Sequence, residues 1–351
     1  MAARLMARTV RGVESILAEE IRQRGLGHVE HIGHREVWFR CADPGRNVLE
    51  LRCADDVFLL ASIVDGIGRC RADLSMLTKA VQALPLEPLL AIRERCGGLP
   101  GSCVEVSASF LGKRNYTRYD LEDAVGKPLA RALGMRYHSR RGGVAPPAGG
   151  LAWRVTLADD RAVVGLRIAE RPLHRRAYRR ISTPGALHPP LAAAMVRLAA
   201  PSDGAVLLDP CCGVGTIPIE AAYVGRTISI LGSDVNPTAV AAAATNGVGT
   251  GIRWSMADAG RLPVATGAVD LVVTNPPWDR QVPWSGVLAR HPGRLWRELR
   301  RVLRPTGRAV LLLTDVEARL VGITEAGLVV RDRRPISLFG AHPEIVTVEV
   351  I

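Results

Sequence analysis

The spacing of hydrophobic residues predicts two regions with different architectures. Up to about residue 170, short amphipathic segments follow one another without a regular alternation. The elements predicted there are helices over 10–24, 89–96 and 120–133 and strands over 103–110, 151–157 and 162–169. Asp120 is the predicted N-cap of the helix over 120–133. Segments 35–40 and 48–51 fit either extended or helical structure. Because the region mixes helices and strands, it is predicted to be an α+β module.

From Leu191 onward, strands alternate with helices. The predicted strands are 205–209, 228–234, 252–257, 269–275 and 308–313, and the predicted helices are 216–223, 237–246 and 292–303. This alternation predicts a parallel, doubly wound α/β sheet. Segments 328–337 and 344–351 have no helix between them, so we expect an antiparallel hairpin that completes a seven-stranded sheet at one edge.

Composition narrows the class of protein. The chain has 351 residues, of which 48% are hydrophobic, and this is enough for two globular domains. It contains no apolar run long enough to span a bilayer, and its N-terminus lacks the apolar core of a signal peptide. The seven cysteines form no C-x-x-C pair, so we expect neither a metal site nor a disulfide framework. A cytoplasmic protein without membrane or metal partners is predicted.

The charge favours a polyanionic partner, because the formal net charge is +12 and the basic residues cluster. In the first cluster, Lys113, Arg114 and Arg118 lie beside Tyr116 and Tyr119, a mixture suited to phosphates and a stacked base. The second cluster has five arginines between 171 and 180, including Arg175, Arg176 and Arg179. Both clusters are also compatible with solvated surfaces or with ion pairs between domains.

A glycine-rich turn follows the first strand of the second region, with the sequence Asp209-Pro-Cys-Cys-Gly-Val-Gly-Thr216. Ligands of doubly wound sheets bind at the carboxyl ends of the strands, and glycines let the backbone approach them closely. Asp234 ends the second strand, a position at which an acid can bind the hydroxyls of a ribose. The alternative is that Asp234 only caps the helix that follows. The predicted nucleoside-cofactor residues are Asp209, Cys211, Gly213, Gly215, Thr216, Asp234, Asn236, Asp258 and Asn275. The side chains of Cys211 and Cys212 are interpreted as small groups packed under the loop, not as covalent catalytic nucleophiles.

A second motif, Asn275-Pro276-Pro277-Trp278, ends the fourth strand. The Asn275 side-chain oxygen and the Pro276 carbonyl are placed to accept hydrogen bonds from an exocyclic amine, and the prolines fix the backbone that carries them. Trp278 is predicted to stack on the base. These four residues are the predicted catalytic site of an N-methyltransferase that uses S-adenosylmethionine. Alone, the motif also fits a strand-terminating turn with a core tryptophan.

Both motifs resemble the THUMP-domain class I RNA methyltransferases, especially the tRNA (guanine-N2)-methyltransferases. The ferredoxin-like start of these proteins resembles segment 11–14, and their THUMP strand, loop and helix resemble segment 107–126. The beginning of their catalytic domain resembles segment 173–179. The resemblance implies a ferredoxin-like and THUMP RNA-binding module over 1–170, a basic linker over 171–190 and a Rossmann-like methyltransferase domain over 191–351. Trp278 replaces the family's usual Phe or Tyr, and Asp279 stands where many relatives have Gly.

The sequence therefore predicts methyl transfer from S-adenosylmethionine to guanine N2 in RNA, with tRNA as the partner and the target nucleotide flipped out of its stem. Three alternatives stay open: a small amine-bearing metabolite as the acceptor, adenine N6 of a nucleic acid as the acceptor, and a non-catalytic RNA-binding protein. The modified position, the number of methyl groups and the oligomeric state are not predicted.

Overall fold

The computed structural model describes residues 2–278, 283–338 and 340–350. It divides into two compact units, the first formed by Met1–Arg8 with Ala18–Leu173 and the second by Thr9–Leu17 with His174–Ile351. The second unit thus begins upstream of the start predicted at residue 191. Among the described residues, no helix has the length and apolar character that a membrane span needs.

The first unit is built on an eight-stranded sheet with the strand order β2-β3-β1-β4-β8-β7-β5-β6. Its strands are β1 (Ala3–Arg8), β2 (His28–Gly33), β3 (Glu36–Cys41), β4 (Asp56–Val64), β5 (Cys103–Phe110), β6 (Arg136–His138), β7 (Leu151–Ala158) and β8 (Arg161–Arg167). The helices are α1 (Glu14–Gln23), α2 (Leu74–Gln82), α3 (Leu86–Arg95) and α4 (Arg118–Leu133), with 3-10 turns at Arg46–Glu50 and Arg71–Asp73. Helix α1 starts among the residues assigned to the second unit.

The N-cap predicted for α4 was wrong. Thr117, not Asp120, is the cap: the backbone N–H of Asp120 donates to Thr117 Oγ1 (3.3 Å), and the N–H of Thr117 donates to Asp120 Oδ2 (2.8 Å). Such a reciprocal pair satisfies two of the N–H groups that a helix start leaves unpaired. The helix therefore begins at Arg118, two residues earlier than predicted.

The second unit contains the predicted seven-stranded sheet, with the order β11-β10-β9-β12-β13-β15-β14. Its strands are β9 (Val206–Asp209), β10 (Ser229–Asp234), β11 (Arg253–Met256), β12 (Val269–Thr274), β13 (Leu303–Leu313), β14 (Leu328–Pro335) and β15 (Glu344–Val350). The helices are α5 (Pro189–Ala199), α6 (Thr216–Ala222), α7 (Pro237–Asn246), α8 (Arg294–Val302) and α9 (Val316–Glu325), with a 3-10 turn at Gly286–Ala289. Strand β15 is antiparallel to both β13 and β14, which confirms the predicted edge hairpin.

The sheet of the second unit brings the ends of four strands together. Strands β9, β10, β11 and β12 are parallel neighbours, so their carboxyl ends lie along one edge. The core beneath them is apolar and closed, with Val272, Leu303, Leu311 and Val346 all at most 1% exposed. A packed sheet of this kind holds the segments that follow each strand at fixed positions.

Candidate active site

The glycine-rich turn and the Asn-Pro-Pro motif start from neighbouring strands that are joined by a side-chain hydrogen bond. Thr274 Oγ1 donates to Asp209 Oδ1 (2.7 Å), and the backbone N–H of Cys211 donates to the same oxygen (3.1 Å). Asp209 is 1% exposed and Thr274 is fully buried. Asn275 therefore directly follows a residue bonded to the base of the glycine-rich turn.

The two glycines of the turn have different surroundings. Both adopt positive φ angles, 53° at Gly213 and 86° at Gly215, which favour glycine. A Cβ added at Gly215 would lie 2.7 Å from the Trp254 ring, so this glycine is needed for packing. A Cβ added at Gly213 would meet no atom of the described residues within 4 Å, so the backbone there borders open space into which a ligand can fit.

The Asp234 carboxylate fixes the turn from the neighbouring strand. Its Oδ2 accepts from the N–H of Gly213 (2.9 Å) and its Oδ1 from the N–H of Asn236 (2.9 Å). The cap of α7 is Asn236, whose Oδ1 accepts from the N–H of Thr238 (2.9 Å). Asp234 is therefore not the helix cap, and its carboxylate oxygens keep further lone pairs for a ligand. For Asn236, the structure shows a capping role that the sequence did not predict.

Asp258 follows β11 and is bound to a short turn further along the chain. Its Oδ1 accepts from the N–H of Gly260 (2.8 Å) and its Oδ2 from the N–H of Val287 (2.6 Å). Gly286, with φ of 60°, lies so close that an added Cβ would be 2.1 Å from Asp258 Oδ2. The carboxylate therefore positions the 3-10 turn at Gly286–Ala289, and the role of Asp258 as a nucleoside-cofactor residue stays a prediction.

The Asn275 amide supplies a buried acceptor. Within the described ranges, its Oδ1 is shielded from solvent and has no hydrogen-bond partner. Such a group costs free energy, on the order of 1–3 kcal/mol, unless a ligand or substrate satisfies it. Trp278 Nε1 donates to the Leu312 carbonyl (3.3 Å), which fixes the indole, and its stacking on a base stays a prediction. Asp279 lies outside the described residues.

Burial sets the protonation of the groups beneath the turn. It raises the pKa of Asp209 from an ordinary 3.8 to about 7, and the nearby charge of Asp234 adds to the shift. Burial is also the main cause that raises the pKa of the Cys211 and Cys212 thiols, followed by the negative charge of Asp209. Neutral thiols are poor nucleophiles, which supports their interpretation as packing residues.

In the first basic cluster, the structure separates internal from exposed cations. Arg114 donates to the carbonyls of Ile67 (3.1 Å), Gly68 (2.9 Å) and Asp159, and Tyr116 is 4% exposed. The guanidinium and the ring are therefore used inside the unit, and the RNA contact of Arg114 stays a prediction. Lys113 and Arg118 are exposed, and the Arg118 guanidinium lies 4.7 Å from the centroid of the Tyr119 ring.

The second cluster is divided in the same way. Arg175 is exposed, whereas the Arg176 side chain is 7% exposed and its Nε donates to Glu220 Oε1 (3.0 Å). Arg179 donates to Thr216 Oγ1 (2.7 Å). The side chains of Arg176 and Arg179 are thus used inside the protein, and their RNA contacts stay predictions. Sequence reasoning missed Glu220, although a glutamate within the apolar run of α6 was a signal that a buried cation would pair with it.

Comparison with known proteins decides the family. The model of the RMKL-like methyltransferase domain matches residues 176–334. A tRNA (guanine(6)-N2)-methyltransferase of Thermus thermophilus is 30% identical over 357 residues, which cover 98% of this chain and 99% of the relative. The chain belongs to the tRNA (guanine-N2)-methyltransferase family. The crystal structure of TrmN from Thermus thermophilus covers 100% of both chains with a TM-score of 0.79 at 28% identity.

Other curated relatives align with about half of this chain. The bovine tRNA (guanine(6)-N(2))-methyltransferase THUMP3 is 36% identical over 182 residues, which are 46% of this chain and 35% of the relative. The bovine U6 snRNA (guanine-N(2))-methyltransferase THUMPD2 is 32% identical over 194 residues. The chain therefore spans about a third of the length of these mammalian relatives.

The site fits the cofactor of this methyltransferase family, S-adenosylmethionine. Gly213 borders open space, and the carboxylate of Asp234 beside it suits the hydroxyls of a ribose. The Asn275 oxygen, which has no partner in the part of the chain that the structure describes, follows the strand that is bonded to the same turn. The carboxylate of Asp234 favours a ligand that carries a positive charge, as the sulfonium does.

Proposed function

We propose that this protein transfers a methyl group from S-adenosylmethionine to the exocyclic N2 of guanine in RNA, with tRNA as the substrate. The observation that carries the proposal is the buried Asn275 Oδ1, an acceptor without a partner among the described residues, at the end of the strand beside the glycine-rich turn. The names of the relatives support guanine and tRNA as the base and the RNA.

The chemistry needs alignment more than a strong base. An exocyclic amine of a purine is a weak nucleophile because its lone pair is delocalised into the ring. Hydrogen bonds from that amine to Asn275 Oδ1 and to the Pro276 carbonyl localise the lone pair and direct it. Pro276 and Pro277 hold these acceptors in place before the substrate binds. The cofactor, when bound, supplies a methyl group that is already electrophilic, and Trp278 holds the base by stacking.

Exposed cations provide the RNA contacts in this proposal. Residues 1–170 act as the RNA-binding module, where Lys113 and Arg118 contact phosphates, and Arg175 adds a cation near the start of the catalytic unit. A guanine N2 inside a duplex is not accessible to a buried acceptor, so the nucleotide is flipped out before methylation. The proposed location is the cytoplasm, where tRNA is modified.

The test is to incubate the protein with isotope-labelled S-adenosylmethionine and unmodified tRNA transcripts, digest the RNA and identify the labelled nucleoside by mass spectrometry. The proposal predicts N2-methylguanosine. Labelled N6-methyladenosine would establish the adenine alternative, and label found only on a free amine metabolite would establish the small-molecule alternative. Failure to bind S-adenosylmethionine by calorimetry would leave the non-catalytic RNA-binding protein as the remaining explanation.

A further inference from the structure

Residues 176–181 form a segment, here called the strap, whose side chains are bound to the cofactor turn and the helix that follows it. Arg176 Nε (3.0 Å) and the Tyr178 hydroxyl (2.8 Å) both donate to Glu220 Oε1. Glu220 is 3% exposed and lies within α6, which begins directly after Gly215. A buried carboxylate needs such donors, so the strap is tied to α6 by charged hydrogen bonds.

A second connection reaches the first residue of α6. Arg179 donates from one nitrogen to Thr216 Oγ1 (2.7 Å) and to the Leu187 carbonyl (2.5 Å). Thr216 is 3% exposed, and it lies one helical turn before Glu220, so both tied residues occupy the same face of α6. Arg179 is half-buried, and burial lowers the pKa of its guanidinium because desolvation disfavours the charged form.

The third connection runs through Asn246, the last residue of α7, which is 4% exposed. Its Oδ1 accepts from the N–H groups of Arg180 (3.0 Å) and Ile181 (2.9 Å). Its Nδ2 donates to the carbonyls of Ile181 (2.9 Å) and Val214 (3.0 Å). Val214 lies between the two glycines of the turn, so a single amide links the end of the strap to the backbone that borders the ligand space.

We propose that the strap positions the cofactor turn, and that Arg176, Tyr178, Arg179 and Asn246 are positioning residues for S-adenosylmethionine rather than RNA contacts. The inference rests on the proposed function only for the identity of the cofactor. A turn with two glycines has high conformational freedom, and ordering it on binding reduces affinity. Ties to Val214, Thr216 and Glu220 hold the turn in one conformation before the cofactor arrives.

The experiment measures cofactor and RNA binding separately on the full-length protein. Arg179→Met and Thr216→Val each remove one side of the same hydrogen bond, and each should weaken S-adenosylmethionine binding in calorimetry by about tenfold. The double variant should be no weaker than Arg179→Met, and Thr216→Ser, which keeps the hydroxyl, should restore the affinity. RNA affinity and its salt dependence should not change in Arg179→Met.

Arg175→Ala is the matched control, because Arg175 belongs to the same basic cluster but is exposed. It should leave the affinity for S-adenosylmethionine unchanged and lower the affinity for tRNA. The salt slope, that is the slope of the logarithm of tRNA affinity against the logarithm of salt concentration, should decrease in magnitude by about one. The reverse pattern, in which Arg179→Met reduces the salt slope and leaves cofactor binding intact, would overturn the proposal. So would an additive loss of cofactor affinity in the double variant, since Thr216 would then act independently of Arg179.

A milder variant covers the case in which a change at Arg179 prevents folding. Tyr178→Phe removes one hydroxyl and keeps the ring, so it removes only one of the two hydrogen bonds to Glu220 Oε1 described above. The backbone amides of 211–216 should then exchange their hydrogens faster in the cofactor-free protein, and unchanged exchange would contradict the strap's role. If the wild-type protein binds S-adenosylmethionine but methylates no RNA, the result would count against the proposed function and leave this inference intact.

Discussion

Replacing Asp209 by asparagine should remove a pH dependence of stability from the second unit. Burial raises the pKa of this carboxyl from 3.8 to about 7, so the folded protein holds the proton more tightly than the unfolded chain does. The stabilising contribution of the protonated group is fully present below pH 3.8 and is lost as the pH rises to about 7. A shift of about three pKa units corresponds to about 4 kcal/mol.

The assay is urea unfolding of the wild-type protein and Asp209→Asn at several pH values between 4 and 8. An asparagine oxygen can still accept from the Cys211 N–H and from Thr274 Oγ1, so the local hydrogen bonds can be kept. Relative to the wild type, the variant should gain up to about 4 kcal/mol of unfolding free energy between pH 4 and pH 7, and the gain should level off above that.

Thr274→Val serves as a second perturbation of the same group. The hydrogen bond from Thr274 lowers the pKa of Asp209, so its loss should move the pH transition of the wild type toward higher pH. Stability curves of the wild type and Asp209→Asn that run parallel from pH 4 to pH 8 would refute the reasoning, because the carboxyl would then have the same pKa in the folded and the unfolded states.

Further predictions concern the turn and the helix cap. Asp234→Ala should weaken S-adenosylmethionine binding by about 2 kcal/mol in calorimetry, since it removes a charged acceptor from the turn; unchanged affinity would remove Asp234 from the site. Gly215→Ala should lower the free energy of unfolding by about 1–3 kcal/mol, because it adds strain at positive φ and overlap with Trp254, and an unchanged free energy would show that the turn can relax. Thr117→Ala should reduce stability in urea by about 1 kcal/mol through loss of the capping box.

The sequence predicted the catalytic unit well because its pattern is local. Strands such as Val269–Thr274 are short apolar runs bounded by polar residues, and helix α7 has a proline at its start and a glycine after its end. Helix α9 (Val316–Glu325) was missed because it has only two buried residues and its start has no side-chain cap. Strand β13 begins at Leu303 rather than Arg308, through an irregular segment with a shifted register that no periodicity reveals.

The roles of the arginines were harder to predict, because they depend on partners far away in the chain. Arg176 and Arg179 are indistinguishable from Arg175 in the sequence. In the structure, Arg176 donates to Glu220 and Arg179 donates to Thr216, whereas Arg175 is exposed. The wrong prediction of the N-cap of α4 has a different cause. The spacing of Thr117 and Asp120 is that of a capping box, so the signal was present in the sequence.

The central claim is that the Asn275 side-chain oxygen accepts the target amine beside the cofactor turn. The most direct measurement compares Asn275→Ala with the wild type in two assays, calorimetry of S-adenosylmethionine binding and single-turnover methylation of tRNA. The account predicts cofactor affinity within about twofold of the wild type and a methylation rate lower by about a hundredfold or more. A variant that methylates tRNA at a nearly normal rate, with the fold and cofactor binding intact, would contradict the claim.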